Sequence, residues 1–187
     1  MKEHRTISFL LTISLLSMFC SVESASAQQF SSGEGHVEFR SHVPLHSFTG
    51  RSDELIGAVN LETGIVDFYV DLETLKTGNG KRDKDMRKAL GTKEYPFAEF
   101  FGTLSSTFDP EKEGPQEAAV SGTFTVHGVP QPLELIGTME MKDGDLLVVA
   151  AWSVFLKDHK IKPPRLLIIK VDDEQQISIN IRLGPDH

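Results

Sequence analysis

The feature that most constrains this chain is a period-two alternation of apolar and polar residues, broken by turn residues again and again from Val37 onward. Such a pattern belongs to strands that bury one face and wet the other, and its recurrence about every ten positions specifies an all-β sandwich or barrel. Val37 and Phe39 alternate with Glu38 and Arg40 in a first strand, and Leu55, Gly57, Val59 and Leu61 share one face of a second. After a turn at Glu62-Thr63-Gly64, a third strand carries Val66, Phe68, Val70 and Leu72 on one side. Ala98 to Leu104 and Val120 to Val126 give a fourth and a fifth, and Leu133 to Met141 gives a sixth after the His127-Gly128 turn. Lys142-Asp143-Gly144-Asp145 is a hairpin loop leading into Leu146 to Phe155, a seventh strand that is apolar on both faces, so periodicity does not assign its inward side. Ile177, Ile179, Ile181 and Leu183 complete an eighth.

The expected fold is therefore an eight-stranded antiparallel barrel, with a short helix from about Arg82 to Leu90 in the long loop after strand three. A barrel of this size is either filled by side chains or holds one small or elongated ligand. The inward set mixes Phe, Leu and Met with Gly57, Gly102, Gly122 and Gly137, which either leave room in the lumen or serve as bends.

Charge removes one class of function. Nineteen Lys and Arg against 27 Asp and Glu give a net charge of −8, and no basic excess exists to displace phosphate counterions, so nucleic acid is not an expected partner. Cys20 is the single cysteine, which excludes a disulfide scaffold and a Cys-based metal site. Lys2 and Arg5 precede an apolar run from Ile7 to Cys20 that is too short to span a bilayer, and Ala25-Ser26-Ala27 follows it. This is the pattern of a signal peptide cleaved after Ala27, so residues 1–27 are expected to be removed and 28–187 to form one domain, periplasmic or secreted, without stable membrane insertion. The segment carries Lys2, Arg5, Glu3 and Glu23, so its removal leaves the charge balance unchanged.

Several motifs together carry a resemblance. Gly33-Glu34-Gly35-His36-Val37-Glu38-Phe39, Ser47-Phe48-Thr49-Gly50 and the run Leu75-Lys76-Thr77-Gly78-Asn79-Gly80-Lys81-Arg82-Asp83-Lys84-Asp85-Met86 come first. Tyr95-Pro96-Phe97-Ala98-Glu99-Phe100, Gly122 to Val129 and Ile161-Lys162-Pro163-Pro164 follow in the same order. The chain resembles the YceI family of exported, polyisoprenoid-binding proteins over nearly all of residues 28–187. The resemblance implies a lipocalin-like barrel whose apolar lumen holds a long isoprenoid chain. The family pattern usually carries a histidine after Arg-Asp-x, where this chain has Asp85, and the departure bears on any polar contact made there.

The lumen is accordingly the expected ligand site, with Val66, Phe68, Val70, Phe100, Phe124, Leu135 and Met139 as lining residues and Arg82 as a contact for a polar head group. Arg82 and Asp83 have a structural alternative, capping the helix and pinning its loop. His42 and His46 would stand roughly 13 Å apart on an extended strand, too far to share one ion. His127 reads as a turn residue and His159 as one lying among charges, so no metal site is expected. No nucleophile elbow, zinc-protease helix or phosphate-cradling loop is present, and neither an enzyme nor a cofactor is expected. The expected partners are an isoprenoid lipid, an isoprenoid quinone or polyprenyl derivative, and a second copy of the chain as a homodimer. The competing reading is a ligand-free periplasmic interaction module with a filled barrel core.

Overall fold

In a computed structural model describing residues 29–43, 46–163, 165–166 and 169–186, the alternating segments pair in sequence order and the last strand closes on the first. The expected signal segment and Cys20 lie outside the described residues. The chain runs through β1 (Gln29–Val43), β2 (His46–Asn60), β3 (Ile65–Asp71), α1 (Gly80–Leu90), β4 (Phe97–Leu104), β5 (Gln116–Val126), β6 (Val129–Lys142) and β7 (Asp145–Phe155). A 3₁₀ turn (Leu156–His159) and a two-stranded ribbon, β8 (Arg165–Leu166) and β9 (Ile169–Lys170), precede β10 (Glu174–Pro185). Around the barrel the order is β1-β10-β7-β6-β5-β4-β3-β2, antiparallel throughout. The eight strands expected from alternation are the eight barrel strands; the β8–β9 ribbon is additional.

Two strands are longer than their alternation suggests, for a physical reason. β1 begins at Gln29 rather than near Val37, and β2 at His46 rather than near Leu55. Their shared register shifts at Ser32/Gly35 and again at Gly35/Val37, so the inward face changes parity within each strand. On β2 the buried positions run Gly50, Ser52 and then Leu55, Gly57, Val59. An irregularity of this kind inserts a residue and bends the strand, which hides a single period-two pattern. Gly35 sits at the shift, where a Cβ would stand 2.4 Å from Cδ1 of Ile181 on β10.

The inner glycines follow a different rule from either alternative in the sequence. None of Gly57, Gly102, Gly122 and Gly137 has a positive φ, so they are not left-handed bends. A Cβ on Gly57 would lie 2.3 Å from Cε1 of Phe68, and one on Gly102 or Gly122 would lie 2.9 Å from Cζ of Phe100. Gly57, Gly102 and Gly122 are seats on which inward rings lie back against the wall, whereas Gly137 lets β6 approach β7, since its Cβ would lie 2.6 Å from the Val149 carbonyl oxygen. Ring and seat together keep the aromatic surface inside without filling the barrel axis.

β7 resolves the ambiguity of its doubly apolar sequence by register. Leu146, Val148, Ala150, Trp152 and Val154 turn inward, while Val149 is 44% exposed and Phe155 39% exposed. The interior is asymmetric along the axis. At the end opposite α1, which holds the β2–β3, β4–β5 and β6–β7 connections, Phe30, Val59, Leu146, Ile181 and Leu183 pack into a core no more than 3% exposed. At the other end, α1, the β5–β6 turn and the 3₁₀ turn gather.

Candidate functional site

The apolar lumen and its mouth form the candidate site. A cavity of about 220 Å³ runs from Leu104 and Met139 up to Arg82, Asp85 and Met86 of α1 and to Leu156, Ile161 and Val171 beyond β7. Apolar cavities of roughly 150 Å³ already stay dry and accept small hydrocarbons, so this space suits a hydrocarbon occupant. The eight residues singled out from sequence all reach its wall. Val66, Phe68, Val70, Phe100 and Met139 are buried, and Phe124 and Leu135 are partly exposed around the same space. Arg82 stands at the mouth.

Sequence reasoning missed part of the wall. Phe39 and Phe48 meet edge to face at 6.2 Å, and the Arg82 guanidinium lies 4.5 Å from the Phe48 ring centre. Trp152 reaches past β6 to pack against Phe124 of β5, with ring centres 5.8 Å apart. Its indole Nε1 is buried without a hydrogen-bond partner. Trp152 escaped notice because β7 is apolar on both faces; Phe48 escaped because polar Ser47 and Thr49 beside it give no strong alternation.

α1 is held over the mouth by local chemistry. Its N-cap is Asn79, whose side chain accepts from the amides of Lys81 and Arg82, both at 3.1 Å, so neither Arg82 nor Asp83 is the cap. The two instead grip Thr77 from opposite sides. Arg82 Nη2 donates to the Thr77 carbonyl at 3.0 Å, while the Asp83 carboxylate accepts from the Thr77 amide at 2.8 Å and from its hydroxyl. Burial pushes the Asp83 carboxyl up, but the hydrogen bonds from Thr77 and the charges of Arg87 and Lys76 outweigh it and hold the group below the usual carboxylate range. Gly91, in the left-handed conformation, closes the helix and places Met86 and Leu90 against the core.

The opposite side of the mouth is tied by two histidines. His127, at φ 55, is the turn residue that its position suggested, and its ring meets Tyr95 at 5.1 Å. His159, expected among charges, is instead only 3% exposed. Its Nδ1 lies 2.8 Å from the Val129 carbonyl, its ring packs on Phe124 at 5.5 Å, and its own carbonyl lies 3.1 Å from His127 Nδ1. The neighbouring charges belong to the exposed side of the 3₁₀ turn; the imidazole turns the other way. Among the described residues, no three His, Cys, Asp or Glu side chains gather in a metal-binding arrangement.

A closed meander around an apolar lumen, with this order of motifs, is matched by one family pattern, the YceI-like domain, over residues 23–183. The chain belongs to the YceI-like family. Three solved structures share the YceI-like fold. A polyisoprenoid binding domain from Saccharophagus degradans, implicated in plant cell wall breakdown, is 17% identical with a TM-score of 0.74, covering 86% of this chain and 99% of that one. BcnA from Burkholderia cenocepacia is 12% identical with a TM-score of 0.62, over 80% of this chain and 96% of its own. The YCEI protein of Campylobacter jejuni is 14% identical with a TM-score of 0.51, over 100% of both chains. No curated protein matches the sequence. Where the YceI pattern usually carries a histidine, Asp85 lies on the lumen side of α1, one turn from Arg82.

Proposed function

We propose that this chain is an exported carrier that holds an amphiphilic isoprenoid lipid, an isoprenoid quinone or a polyprenyl derivative, in the lumen of its barrel. The observation that carries the reading is the open lumen: an apolar cavity of about 220 Å³ whose charged lining residues, Arg82 and Asp85, stand together at its mouth. Apolar walls favour a hydrocarbon chain at roughly 25 cal/mol per Å² removed from water, and a few polar groups at one end orient it. The YceI-like family and the polyisoprenoid binding of the Saccharophagus degradans domain support the same class of ligand. The apolar run and Ala25-Ser26-Ala27 at the N-terminus support export.

Arg82 donates to Thr77 through Nη2 and lies over Phe48, its Nε is buried without a partner, and Asp85 brings a carboxylate to the same rim. That pairing suits a neutral head group, a quinone carbonyl or a hydroxyl, better than a phosphate that Asp85 would repel. Carriage is non-covalent, and catalysis forms no part of the role. Organic extraction of the purified protein and mass spectrometry should recover an isoprenoid, and the emptied protein should take one up again. A protein that carries no lipid and binds no isoprenoid in vitro would overturn the reading and favour the ligand-free module.

A further inference from the structure

The barrel wall is not evenly sewn. β6 pairs with β5 along its length, from Gln116↔Met139 to Val126↔Val129, and β7 pairs with β10 from Glu174↔Phe155 to Leu183↔Leu146. Between β6 and β7, however, the ladder runs only from Lys142↔Asp145 to Thr138↔Val149 and stops. Towards α1, the remainder of each strand has no ladder partner on that side. The cavity reaches the wall where the ladder ends, because Gly137, Thr138, Val149 and Ala150 all line it. Gly137 contributes no side chain, and Thr138 and Val149 are exposed on the outer face, so the wall here is one backbone thick. Just outside lie two apolar side chains left in solvent, Ile136 at 62% and Val149 at 44% exposure.

We infer that the lumen has a second opening, a side window between β6 and β7 bounded below by the contact of Gly137 with Val149 and Ala150 and above by the 3₁₀ turn on Val129 and Gln131, through which the hydrocarbon chain of a long isoprenoid passes. This rests on the carrier reading of the same lumen. The packed core of Phe30, Val59, Leu146 and Leu183 blocks the far end of the axis, so a chain whose head group holds the mouth and whose tail is too long for the cavity leaves through the side. The exposed Ile136 and Val149 give that chain an apolar sill on the way out. Trp152 packs behind the upper part of the seam, and as the only tryptophan it reports on the lumen by fluorescence.

The test follows Trp152 emission during uptake of geraniol, a short isoprenoid alcohol, and solanesol, a long one. In the full chain, Ile136→Lys with Val149→Lys puts two charges on the sill, and Phe101→Lys, at a site 58% exposed elsewhere on the outer surface, serves as control. The sill variant should take up solanesol more slowly or weakly by about tenfold or more, with geraniol uptake unchanged and the control like the unmodified protein. Equal handling of solanesol by the sill variant and the unmodified protein would overturn the window while leaving the carrier intact. Failure of the unmodified protein to bind either alcohol would overturn the carrier reading itself, and the window with it.

Discussion

At the scale of single residues, the mouth is organised by Thr77, whose backbone and side chain are shared between Arg82 and Asp83. The sequence shows an Arg-Asp pair at a helix start, and a cap is the ordinary use of an acid there. What it does not show is that Asn79 already occupies that role, releasing Asp83 to turn inward. The consequence is measurable in acid. The folded carboxyl sits below its unfolded value of about 3.9, so its contribution to stability is fully present above that pH and is lost as pH falls through the lower folded value. Asp83→Asn should lower the melting temperature at neutral pH, and the difference from the unmodified protein should shrink as the solution is taken below about pH 4. A gap unchanged down to strongly acidic solution would mean that the ionised carboxylate contributes nothing.

At the scale of elements, alternation was a good guide to which segments are strands and a poor one to where two of them begin. β3, β4 and β6 keep one parity and stand close to their expected positions, whereas β1 and β2 change parity near Gly35 and Asp53 and so extend beyond the visible pattern. The lining residues were legible on the single-parity strands β3 to β6, and invisible at Trp152 and Phe48 for the reasons given by their neighbours. α1 was legible through Met86, Ala89 and Leu90, and the structure starts it at Gly80, after its cap. Because this helix spans only Gly80–Leu90, its ends matter to its stability. Asn79→Ala should cost about 1 kcal/mol in urea unfolding, by stranding the amides of Lys81 and Arg82. No change in midpoint would show that packing alone holds the helix over the mouth.

At the scale of the molecule, the tightest packing and the mouth of the cavity occupy opposite ends of one barrel. Leu146 and Leu183 are 0% exposed at the packed end, while the cavity, lined as deep as Val59 and Leu104, opens at the α1 end. Leu146→Ala should therefore lower unfolding stability by about 3 kcal/mol, the ordinary cost of emptying a buried leucine site, as measured by chemical denaturation. A loss well under 1 kcal/mol would show that the packed end relaxes and is not the stabilising half. The filled-core alternative starts from the same alternating residues, which line a lumen or fill one, and the cavity together with the glycine seats beneath Phe68 and Phe100 favours the lumen.

The division between ends bears on how such chains diverge. A substitution at a wall residue that faces the cavity meets space rather than a close-packed neighbour, so folding opposes it less than one at Leu146 or Leu183. A barrel built this way can change the shape of its cavity while its architecture persists. Solved structures only 12% to 17% identical share this fold.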